Sequence, residues 1–564
     1  MDMLRAINLP RPATRSLDQR AEELSGSNGI HRTMDAQSDN PEKDPALLRV
    51  VAVAAPDWVR GRKGDKALNS RDPASLFNAC RIAASRALSG EGAWGKGNWA
   101  KGGRHRIRRS FMLMYSLDDM PCFVRLLEEE KPNILLIGAM SLCMPGAVEC
   151  ARTAREMLGN DVLIILGGRH PTETVYLRNS RARQPADVLH HTASPARLIR
   201  QGRIPPLFDA VISGEAEYLI AELGEVVARG GPGGDHGELF RQLPVDIAGD
   251  WIVSLPNGEE IVSAGLPINP NDLPPLAPLF GVSTSFGVFG GRMTAHVFSD
   301  TGRGCVYDCD FCSERSSITG SLSDLARAPQ RLYRQMAESA RVIGEDHPGQ
   351  GASAFVEDSV LLGGSPRALD ALCDLLEKQP LPLEFGAQLT IDQILKREEQ
   401  LKRLSGVGLR YLFIGVETFD PTEIGGMSKD IGSKTASWHD RFRHVIDILS
   451  RNDIACGCAL LFGLGERHES RIALLDTLIE EKRARGLPVA VSANWAVLHP
   501  LRNRASDPGF DYLEWGTPPG PYLDLFHRFG EASLRYCLAA DARPSLHELE
   551  EIVAKMETFE TISR

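Results

Sequence analysis

From about residue 48 onward, short aliphatic and β-branched runs alternate with stretches whose apolar residues recur at helical spacing. Helix-like spacing covers Asp118–Glu130 and Ala147–Leu158, between the strand-like runs. Continuous apolar strands joined by helices are typical of a parallel sheet covered on both faces. The pattern therefore predicts a doubly wound, Rossmann-like domain over residues 48–235. Its predicted strands are Leu48–Ala54, Phe111–Tyr115, Asn133–Ala139, Val162–Leu166 and Asp209–Ile212.

The segments on either side of this domain have a different character. Residues 1–47 are polar and lack a sustained period, which predicts a disordered tail. Residues 236–290 are rich in proline and glycine, so we expect a linker there. Within it, the stretch LPNGEE places an Asn-Gly turn between two strand-like runs and predicts a hairpin.

A second series of alternating strands and helices occupies residues 291–500. Helices are expected over Pro366–Glu377 and Ile391–Leu404, and residues 501–564 end in the helix-like stretch ELEEIVAKMETF. Repeated strand–helix units predict a partial (β/α)6 barrel of the TIM type, so the whole chain belongs to the α/β class. The strand candidates are Ala295–Ser299, Ala354–Val356, Leu383–Gln388, Tyr411–Val416, Ala455–Phe462 and Ala490–Val497.

Composition narrows the range of functions. The chain has 564 residues and a net charge of −10, which argues against a general nucleic-acid-binding protein. No apolar run approaches the length of a membrane helix, and the first residues lack the apolar core of a secretory signal. The 11 cysteines are odd in number and mostly scattered, unlike a disulfide framework. We therefore expect a cytoplasmic protein with reduced thiols.

One group of cysteines is tightly spaced. The segment TGRGCVYDCDFC places Cys305, Cys309 and Cys312 in a C-x3-C-x2-C pattern just after a predicted strand. Three thiolates at this spacing can hold an iron–sulfur cluster and leave one iron without a protein ligand. A structural zinc site needs a fourth ligand, and no further cysteine or histidine lies nearby in the sequence.

This segment, including Phe311, resembles the signature of the radical SAM superfamily. The resemblance implies that Cys305, Cys309 and Cys312 ligate a [4Fe–4S] cluster whose open iron binds S-adenosyl-L-methionine (SAM). It further implies that one electron, from a donor such as flavodoxin or ferredoxin, cleaves SAM to a 5′-deoxyadenosyl radical. Such a cofactor supplies the radical chemistry, and the protein supplies placement and exclusion of water.

Three later segments resemble the SAM-binding segments of the same superfamily. AFVEDSV resembles the acidic end of the second strand and contributes Glu357 and Asp358. FIGVE resembles the fourth strand, whose carboxylate, here Glu417, often contacts the SAM ribose. FGLGE resembles the glycine turn after the fifth strand, with Gly463 and Gly465. A carboxylate can accept two hydrogen bonds from a vicinal diol, and small residues let backbone approach a ligand closely.

The first domain resembles the cobalamin-binding domain that precedes many radical SAM barrels. The resemblance rests on AMSLCMPG, GGRHP and SGEAE, which end three predicted strands. It implies a cobalamin site at Ser141, Cys143, Gly167, Gly168, His170, Gly214 and Glu215. The D-x-H-x-x-G motif that supplies a cobalt ligand elsewhere is missing, so we interpret His170 as a loop residue. A Rossmann-like domain without a cofactor is the alternative.

Other features receive a structural interpretation. The basic run of Lys96, Lys101, Arg104, Arg106, Arg108 and Arg109 is interpreted as a solvated loop. Cys456 and Cys458 lie two apart on a strand, so they face the same side, and we interpret them as packing residues. Cys143 is interpreted either as a cofactor contact or as a buried thiol.

Together the resemblances imply a cobalamin-dependent radical SAM methyltransferase. It would move a methyl group from SAM through methylcobalamin to an unactivated carbon of a natural product, amino acid or peptide.

A cyclase or rearrangement enzyme and a tryptophan 2-C-methyltransferase type, which needs no adenosyl radical, are alternatives. A tRNA methylthiotransferase would need three cysteines in the first domain, for which Cys80, Cys122, Cys143 and Cys150 are candidates, and a basic tail, whereas this tail is acidic. A SAM or cobalamin sensor is the non-catalytic alternative. Neither a membrane nor a nucleic acid is an expected partner.

Overall fold

The structure is a computed structural model. It describes residues 30–34, 47–56, 106–114, 117–179, 181–272, 275, 284–285, 287–299, 305–307, 309, 311–312, 324–418, 429, 437–496 and 543–562.

The first half of the chain forms an eight-stranded sheet. Its spatial order is β1-β3-β2-β4-β5-β8-β9-β10, and β6 and β7 form a separate two-stranded sheet. The strands are β1 (Ile30–Met34), β2 (Leu47–Ala54), β3 (Arg106–Leu113), β4 (Ile134–Gly138), β5 (Leu163–Gly167), β6 (Val175–Leu177), β7 (Val188–His190), β8 (Ala210–Gly214), β9 (Trp251–Ser254) and β10 (Glu260–Val262).

The five central strands β3, β2, β4, β5 and β8 are mutually parallel. Counted along the chain, they have the order 2-1-3-4-5, which is the flavodoxin-like doubly wound order. The strand order reverses between β2 and β4, and ligands of such sheets bind beside the carboxyl ends at that reversal. The predicted doubly wound fold is therefore confirmed.

Helices cover both faces of this sheet because its central strands are apolar on both sides. Every residue of β4 is buried, as the continuous run ILLIG predicts. The helices of this half are α1 (Met120–Glu130), α2 (Met144–Leu158), α3 (Arg169–Thr174), α4 (Pro195–Arg200), α5 (Glu217–Gly230) and α6 (His236–Arg241).

Two edges of the sheet differ from the sequence expectation. The predicted hairpin forms around Asn257 and Gly258, but β9 also pairs with β8, so the hairpin completes the sheet instead of standing in a linker. At the other edge, β1 pairs with β3 inside the segment predicted to be a disordered tail. β3 begins at Arg106, so Arg106, Arg108 and Arg109 lie in a strand and not in a loop. The rest of that basic run lies outside the described residues.

The second half of the chain forms a seven-stranded sheet in the order β11-β12-β13-β14-β15-β16-β17. The strands β12 to β17 are parallel, and each is paired with the next one along the chain. This is the predicted six-unit partial barrel. The strands are β11 (Thr284–Ser285), β12 (Met293–Val297), β13 (Ala352–Val356), β14 (Leu383–Gln388), β15 (Leu409–Glu417), β16 (Ala455–Phe462) and β17 (Ala490–Trp495).

Alternate residues of the barrel strands face the helices and the interior. Cys456 and Cys458 are buried in the helix-facing layer, which confirms them as packing residues. On the interior side, Phe289, Phe355, Tyr411 and Phe413 form a separate aromatic cluster. The helices are α7 (Ala328–Asp346), α8 (Pro366–Lys378), α9 (Ile391–Lys396), α10 (Glu398–Gly406), α11 (Trp438–Arg451), α12 (His468–Arg485) and α13 (Leu546–Thr561).

The last described helix, α13, belongs to the barrel's outer layer. Its apolar residues Leu549, Ile552, Met556 and Phe559 join the same core as the helix-facing strand residues. It begins with a capping box in which Ser545 and Glu548 exchange hydrogen bonds, as the sequence SLHE predicts. Within the described ranges, no helix combines the length and the apolar character that crossing a bilayer requires.

A partly buried charge cluster holds the amino-terminal ends of β5 and β8 together, at the edge opposite the strand ends expected to bind ligand. Asp209 accepts hydrogen bonds from the Ile164 amide (2.6 Å) and from Arg155 (2.8 Å), and it pairs with His236 (2.7 Å). The hydrogen bond to Asp209 raises the pKa of His236, against the opposing effect of burial. The charged imidazole is therefore the form that stabilises the fold.

We predict that His236→Gln destabilises the first domain by about 2 kcal/mol at about pH 6, the usual range for a hydrogen bond between charged groups. Because the pKa of His236 is raised on folding, its contribution is complete below the unfolded value of about 6.5 and is lost as the pH rises through the folded value. Urea unfolding followed by circular dichroism should show a smaller loss at about pH 9. In an Asp209→Asn background, His236→Gln should have little effect. An equal loss at both pH values would show that the ion pair contributes nothing.

Candidate functional site

The three clustered cysteines follow β12 at the carboxyl end of the barrel. Cys309 is buried, and Cys305 and Cys312 are partly exposed. The Cys312 amide donates a hydrogen bond to the Cys309 carbonyl (3.1 Å), which folds the C-x2-C part into a tight turn. Cys309 and Phe311 pack against Leu464 and Ala496, which follow β16 and β17. The fold thus brings the cysteine loop against the predicted glycine turn, about 150 residues away in the chain.

The base of the cysteine loop is held by Asp358. Its carboxylate accepts a hydrogen bond from the Ser299 amide (3.0 Å), and Arg331 donates to the Ser299 carbonyl (2.9 Å). Arg331 also pairs with Asp324 (2.9 Å), on the segment that leads into α7. Asp358, predicted to bind SAM, therefore has a structural contact of its own that fixes the start of the loop.

Glu357, the residue before Asp358, is paired with a histidine on the neighbouring strand. His296 Nδ1 lies 2.5 Å from Glu357 Oε1, and the two side chains are only 3% and 4% exposed. His296 and Phe355 alternate with the helix-facing residues Ala295, Val297 and Val356, so they face the interior. The pair is a buried acid–base couple at the carboxyl end of the barrel, a position where TIM-type folds carry chemistry.

Glu417 ends β15 with an unusual backbone. Its φ is +59°, in the left-handed region that disfavours side chains, and the pairing register with β16 shifts between Gly415 and Glu417. Lys429 donates hydrogen bonds to Glu417 Oε1 (2.7 Å) and to the Gly415 carbonyl (2.9 Å). The conformation holds this carboxylate at the strand end, where the sequence predicts a ribose contact.

The glycine turn after β16 is held by a carboxylate. Glu466 accepts hydrogen bonds from the Gly463 amide (2.7 Å) and the Leu464 amide (2.9 Å). Gly463 and Gly465 have φ values of +80° and +115°, and a Cβ on Gly463 would collide with the Trp495 indole. Only glycine fits at Gly463, because both its backbone and its surroundings exclude a side chain.

The family comparison agrees with this geometry. A family model, Radical SAM superfamily, matches residues 300–478, which include all three cysteines and both glycines of the turn. Residues 300–478 are a radical SAM domain. Such a domain implies a [4Fe–4S] cluster and SAM as cofactors.

The chain is also similar to individual proteins. It is 32% identical over 130 residues to the hopanoid C-2 methylase of Rhodopseudomonas palustris (strain TIE-1), covering 22% of this chain and 23% of that protein. It is 20% identical over 412 residues to the anaerobic magnesium-protoporphyrin IX monomethyl ester cyclase of Rubrivivax gelatinosus, covering 71% of this chain and 59% of that one. The chain therefore spans less than two thirds of either curated relative.

Among solved structures, the chain is similar to the radical S-adenosylmethionine methyltransferase TsrM from Kitasatospora setae, with tryptophan substrate and a SAM analogue bound. The identity is 15% and the TM-score is 0.46. The match covers 80% of this chain and 73% of that one.

The cysteine loop suits the cluster in donor chemistry and in surroundings. Thiolates are the usual ligands of iron–sulfur clusters, and the apolar contacts of Cys309 with Phe311 and Leu464 shield that position from water. Within the part of the chain that the structure describes, no three Cys, His, Asp or Glu side chains stand grouped as a ready metal site.

In the first domain, the structure brings together Ser141 and His170. Ser141 Oγ lies 2.8 Å from His170 Nδ1, and His170 Nε2 lies 3.0 Å from the Ala193 carbonyl. Because a carbonyl only accepts, Nε2 carries the proton, and the Ser141 hydroxyl donates to Nδ1. Burial lowers the pKa of His170 to about 3, so the ring is neutral. Both ring nitrogens are engaged, which supports the interpretation of His170 as a loop residue.

Gly168 lets the loops after β4 and β5 approach each other. Its φ is +101°, and a Cβ there would come within 2.6 Å of the Ala139 amide nitrogen. The His170 amide donates to the Ala139 carbonyl (3.0 Å), which closes the contact. Gly167, Gly168, Ser141 and His170 therefore share one strand-end region beside the reversal of strand order.

The other three predicted cobalamin residues have mainly structural surroundings. Cys143 is fully buried in the core, which supports the packing interpretation. A Cβ on Gly214 would collide with the Asp250 carbonyl, and the Glu215 amide donates to that same carbonyl (3.0 Å). The hairpin therefore explains why a glycine stands at position 214, and a cobalamin contact at Gly214 and Glu215 stays a prediction.

Sequence reasoning missed several residues of the site. His296, Lys429 and Arg331 lie outside the quoted segments, and their partners Glu357, Glu417 and Asp324 are visible only in three dimensions. One signal was available for His296, because a polar residue in an otherwise apolar strand indicates a buried contact that needs a partner. No comparable signal marks Lys429.

We predict that Cys309→Ala removes the broad visible absorbance of the iron–sulfur cluster after anaerobic reconstitution, because two thiolates hold a cluster poorly. Cys458→Ala is the matched control. Its thiol is equally buried but lies in the helix-facing layer, so the variant should keep the full absorbance. A Cys309→Ala protein with an unchanged cluster would contradict the assignment.

We predict that His296→Leu destabilises the barrel by about 1–3 kcal/mol, since it removes a hydrogen-bond partner of the buried Glu357 carboxyl group. Replacing both residues, His296→Leu with Glu357→Met, should cost much less, because both members of the hydrogen-bonded pair are then apolar. Urea denaturation of the wild type, both single variants and the double variant measures the coupling as a double-mutant cycle. Strictly additive losses would show that the pair does not act as a unit.

Proposed function

We propose that the protein is a cobalamin-dependent radical SAM methyltransferase that acts on a small molecule, an amino acid or a peptide. The observation that carries the proposal is a doubly wound domain with a cobalamin-type sequence pattern ahead of a radical SAM domain. A separate methyl carrier is useful only where the acceptor carbon is too unreactive for direct attack on SAM. Two cofactor-binding domains in one chain provide the required proximity.

The first domain supports a cobalamin site through its strand ends. Gly168, Ser141 and His170 line the region beside the reversal of strand order, where doubly wound sheets bind their ligands. His170 is neutral and hydrogen-bonded on both nitrogens, so it does not suit a cobalt ligand. These residues fit a cobalamin that the protein holds without a histidine on cobalt.

The radical SAM domain supports the other half of the proposal. The cluster and SAM, when bound, supply one-electron chemistry or a methyl group. Cys305, Cys309 and Cys312 would hold the cluster, and Glu417 would accept hydrogen bonds from the ribose hydroxyls of SAM. The Gly463 turn would pass beside the adenosyl group, because it carries no side chain there.

The curated relatives support two related reactions. The similarity to a hopanoid C-2 methylase favours methyl transfer to carbon. The longer match to the anaerobic magnesium-protoporphyrin IX monomethyl ester cyclase favours a ring-forming reaction as the second candidate. Both candidates use the same two sites and need a reductant such as flavodoxin or ferredoxin, and they differ in the fate of SAM.

The decisive experiment is anaerobic purification with hydroxocobalamin, followed by a visible spectrum and by incubation with SAM and a chemical reductant. We predict stoichiometric corrinoid and release of S-adenosylhomocysteine without added acceptor, because methylation of the carrier precedes the acceptor. Protein that binds corrinoid but releases only 5′-deoxyadenosine would favour the cyclase. Purified protein that contains no corrinoid would contradict the cobalamin proposal but would not affect the assignment of the radical SAM domain.

A pair of glycine variants links the result to the proposed site. Gly168→Ala should lose corrinoid and keep the iron–sulfur absorbance, because its Cβ would press against the Ala139 backbone. Gly159→Ala is the control. This residue also has a positive φ, +58°, but a Cβ there would meet nothing within 4 Å. Corrinoid loss in both variants would indicate general damage to the domain.

A further inference from the structure

A continuous chain of charged contacts joins the carboxyl-terminal helix α13 to the glycine turn after β16. It begins at Glu548 in the first turn of α13, passes through Arg471 in α12 and ends at Glu466. Residues this far apart in sequence meet only because α12 and α13 lie side by side. The contacts His468–Glu551, Asp476–Lys555 and Lys482–Phe559 run in the same order along both helices, so the two helices are parallel.

The turn depends on the Glu466 carboxylate for its shape. The two oxygens of Glu466 accept from two successive backbone amides, those of Gly463 and Leu464. Both amides are buried, and both glycines of the turn sit in the left-handed region. Hydrogen bonds from amides to a carboxylate are about twice as strong as bonds between neutral groups, so a rotation of Glu466 would release the turn.

Arg471 holds Glu466 in that orientation from two directions. Its Nε donates to Glu466 Oε1 (2.6 Å), and its Nη2 donates to the Glu466 carbonyl (3.2 Å). Its guanidinium also lies 4.6 Å from the centre of the Trp495 ring, and that indole covers Gly463. One buried side chain therefore supports both the carboxylate beneath the turn and the ring beside it.

Glu548 provides the remaining contact of this guanidinium. Its Oε1 lies 3.7 Å from Arg471 Nη1 and 3.8 Å from His468 Nδ1. The capping box fixes Glu548 at the start of α13, where its other oxygen accepts from the Ser545 amide (2.7 Å). Because Glu548 is fixed at the start of α13 and lies against the buried Arg471, the position of the helix influences the position of that arginine.

We propose that α13 is a positioning element of the SAM site, with Glu548 and Arg471 as positioning residues that act on the Gly463–Leu464 turn through Glu466. The inference rests on the proposed role of this turn in binding SAM. The alternative is that α13 only covers the apolar surface of the barrel helices. The two views make different predictions. If α13 only covered the barrel, its contacts would stabilise the whole barrel and would have no specific effect on the Gly463–Leu464 turn.

The test compares Glu548→Gln with Lys555→Met in the full chain. Lys555→Met removes the contact of α13 with Asp476, and Glu548→Gln removes its contacts with Arg471 and His468. Both variants therefore weaken the pairing of α12 with α13, but only Glu548 is connected to Arg471 and the turn. The first readout is amide hydrogen exchange of peptides that contain Gly463 and Leu464, measured without SAM. The second is the dissociation constant of SAM for the protein carrying its reconstituted cluster.

We expect Glu548→Gln to speed exchange at the turn about 3- to 10-fold and to weaken SAM binding by a similar factor, as for loss of a partly buried charged contact. Lys555→Met should change neither. Glu466→Gln should give the largest effect on both readouts, because it acts directly on the two amides. Arg471→Lys keeps the charge but loses the two-point contact, so it should resemble Glu548→Gln.

Three results would overturn part or all of this inference. Unchanged exchange at the turn in Glu548→Gln, with Arg471→Lys also unchanged, would show that α13 is cover only. Equal effects of Glu548→Gln and Lys555→Met would show the same, since any loosening of the helix would then suffice. Faster exchange with unaltered SAM affinity would keep the coupling and remove the turn from the SAM site. If Arg471→Lys does not fold, Glu548→Gln decides the question, because its side chain is partly exposed.

Discussion

The parallel pairing of neighbouring strands is the constraint on which both halves of this molecule depend. Parallel strands must be joined by crossovers, and in the described part of the barrel these crossovers carry helices that pack on the outer face of the sheet. Every strand of a parallel run then ends at the same edge. In the barrel, that edge collects the cysteine loop after β12, the two carboxylates after β13, Glu417 on β15 and the glycine turn after β16. None of these groups needs to be near another in sequence.

The carboxyl-terminal edge of the barrel sheet is only partly open to water, so its charged side chains occur in pairs. His296 with Glu357, Lys429 with Glu417, and Arg471 with Glu466 each join an acidic residue at a strand end to a basic residue on another element. Desolvating a lone charge is costly, whereas a hydrogen-bonded pair is tolerated. These pairs therefore tie the strand ends and the loops of this edge to the surrounding scaffold.

Many strands, the hairpin turn and the cluster cysteines could be predicted from the sequence, because each of these signals lies within one short segment. Strands such as ILLIG and the turn LPNGEE carry their own periodicity or turn chemistry, and the cysteine spacing is a chemical pattern in itself. The sequence could not show that the hairpin extends the first sheet, because edge pairing depends on which strand is left uncovered. It also could not connect His296 to Glu357 or Glu548 to Arg471, since partners across elements are set by packing and not by spacing.

At Glu417, the strain of the backbone opposes the role that we propose for the side chain. A glycine would adopt its φ of +59° without strain, whereas a left-handed conformation costs a residue with a side chain about 1 kcal/mol. The same change would remove the carboxylate that the strand end presents. The backbone strain at this position therefore favours a residue that lacks the carboxylate, whereas the contact with Lys429 and the role proposed for this side chain favour Glu417. Thermal stability alone is therefore a misleading criterion for engineering this chain, because at position 417 relief of the backbone strain and retention of the proposed SAM contact require different residues.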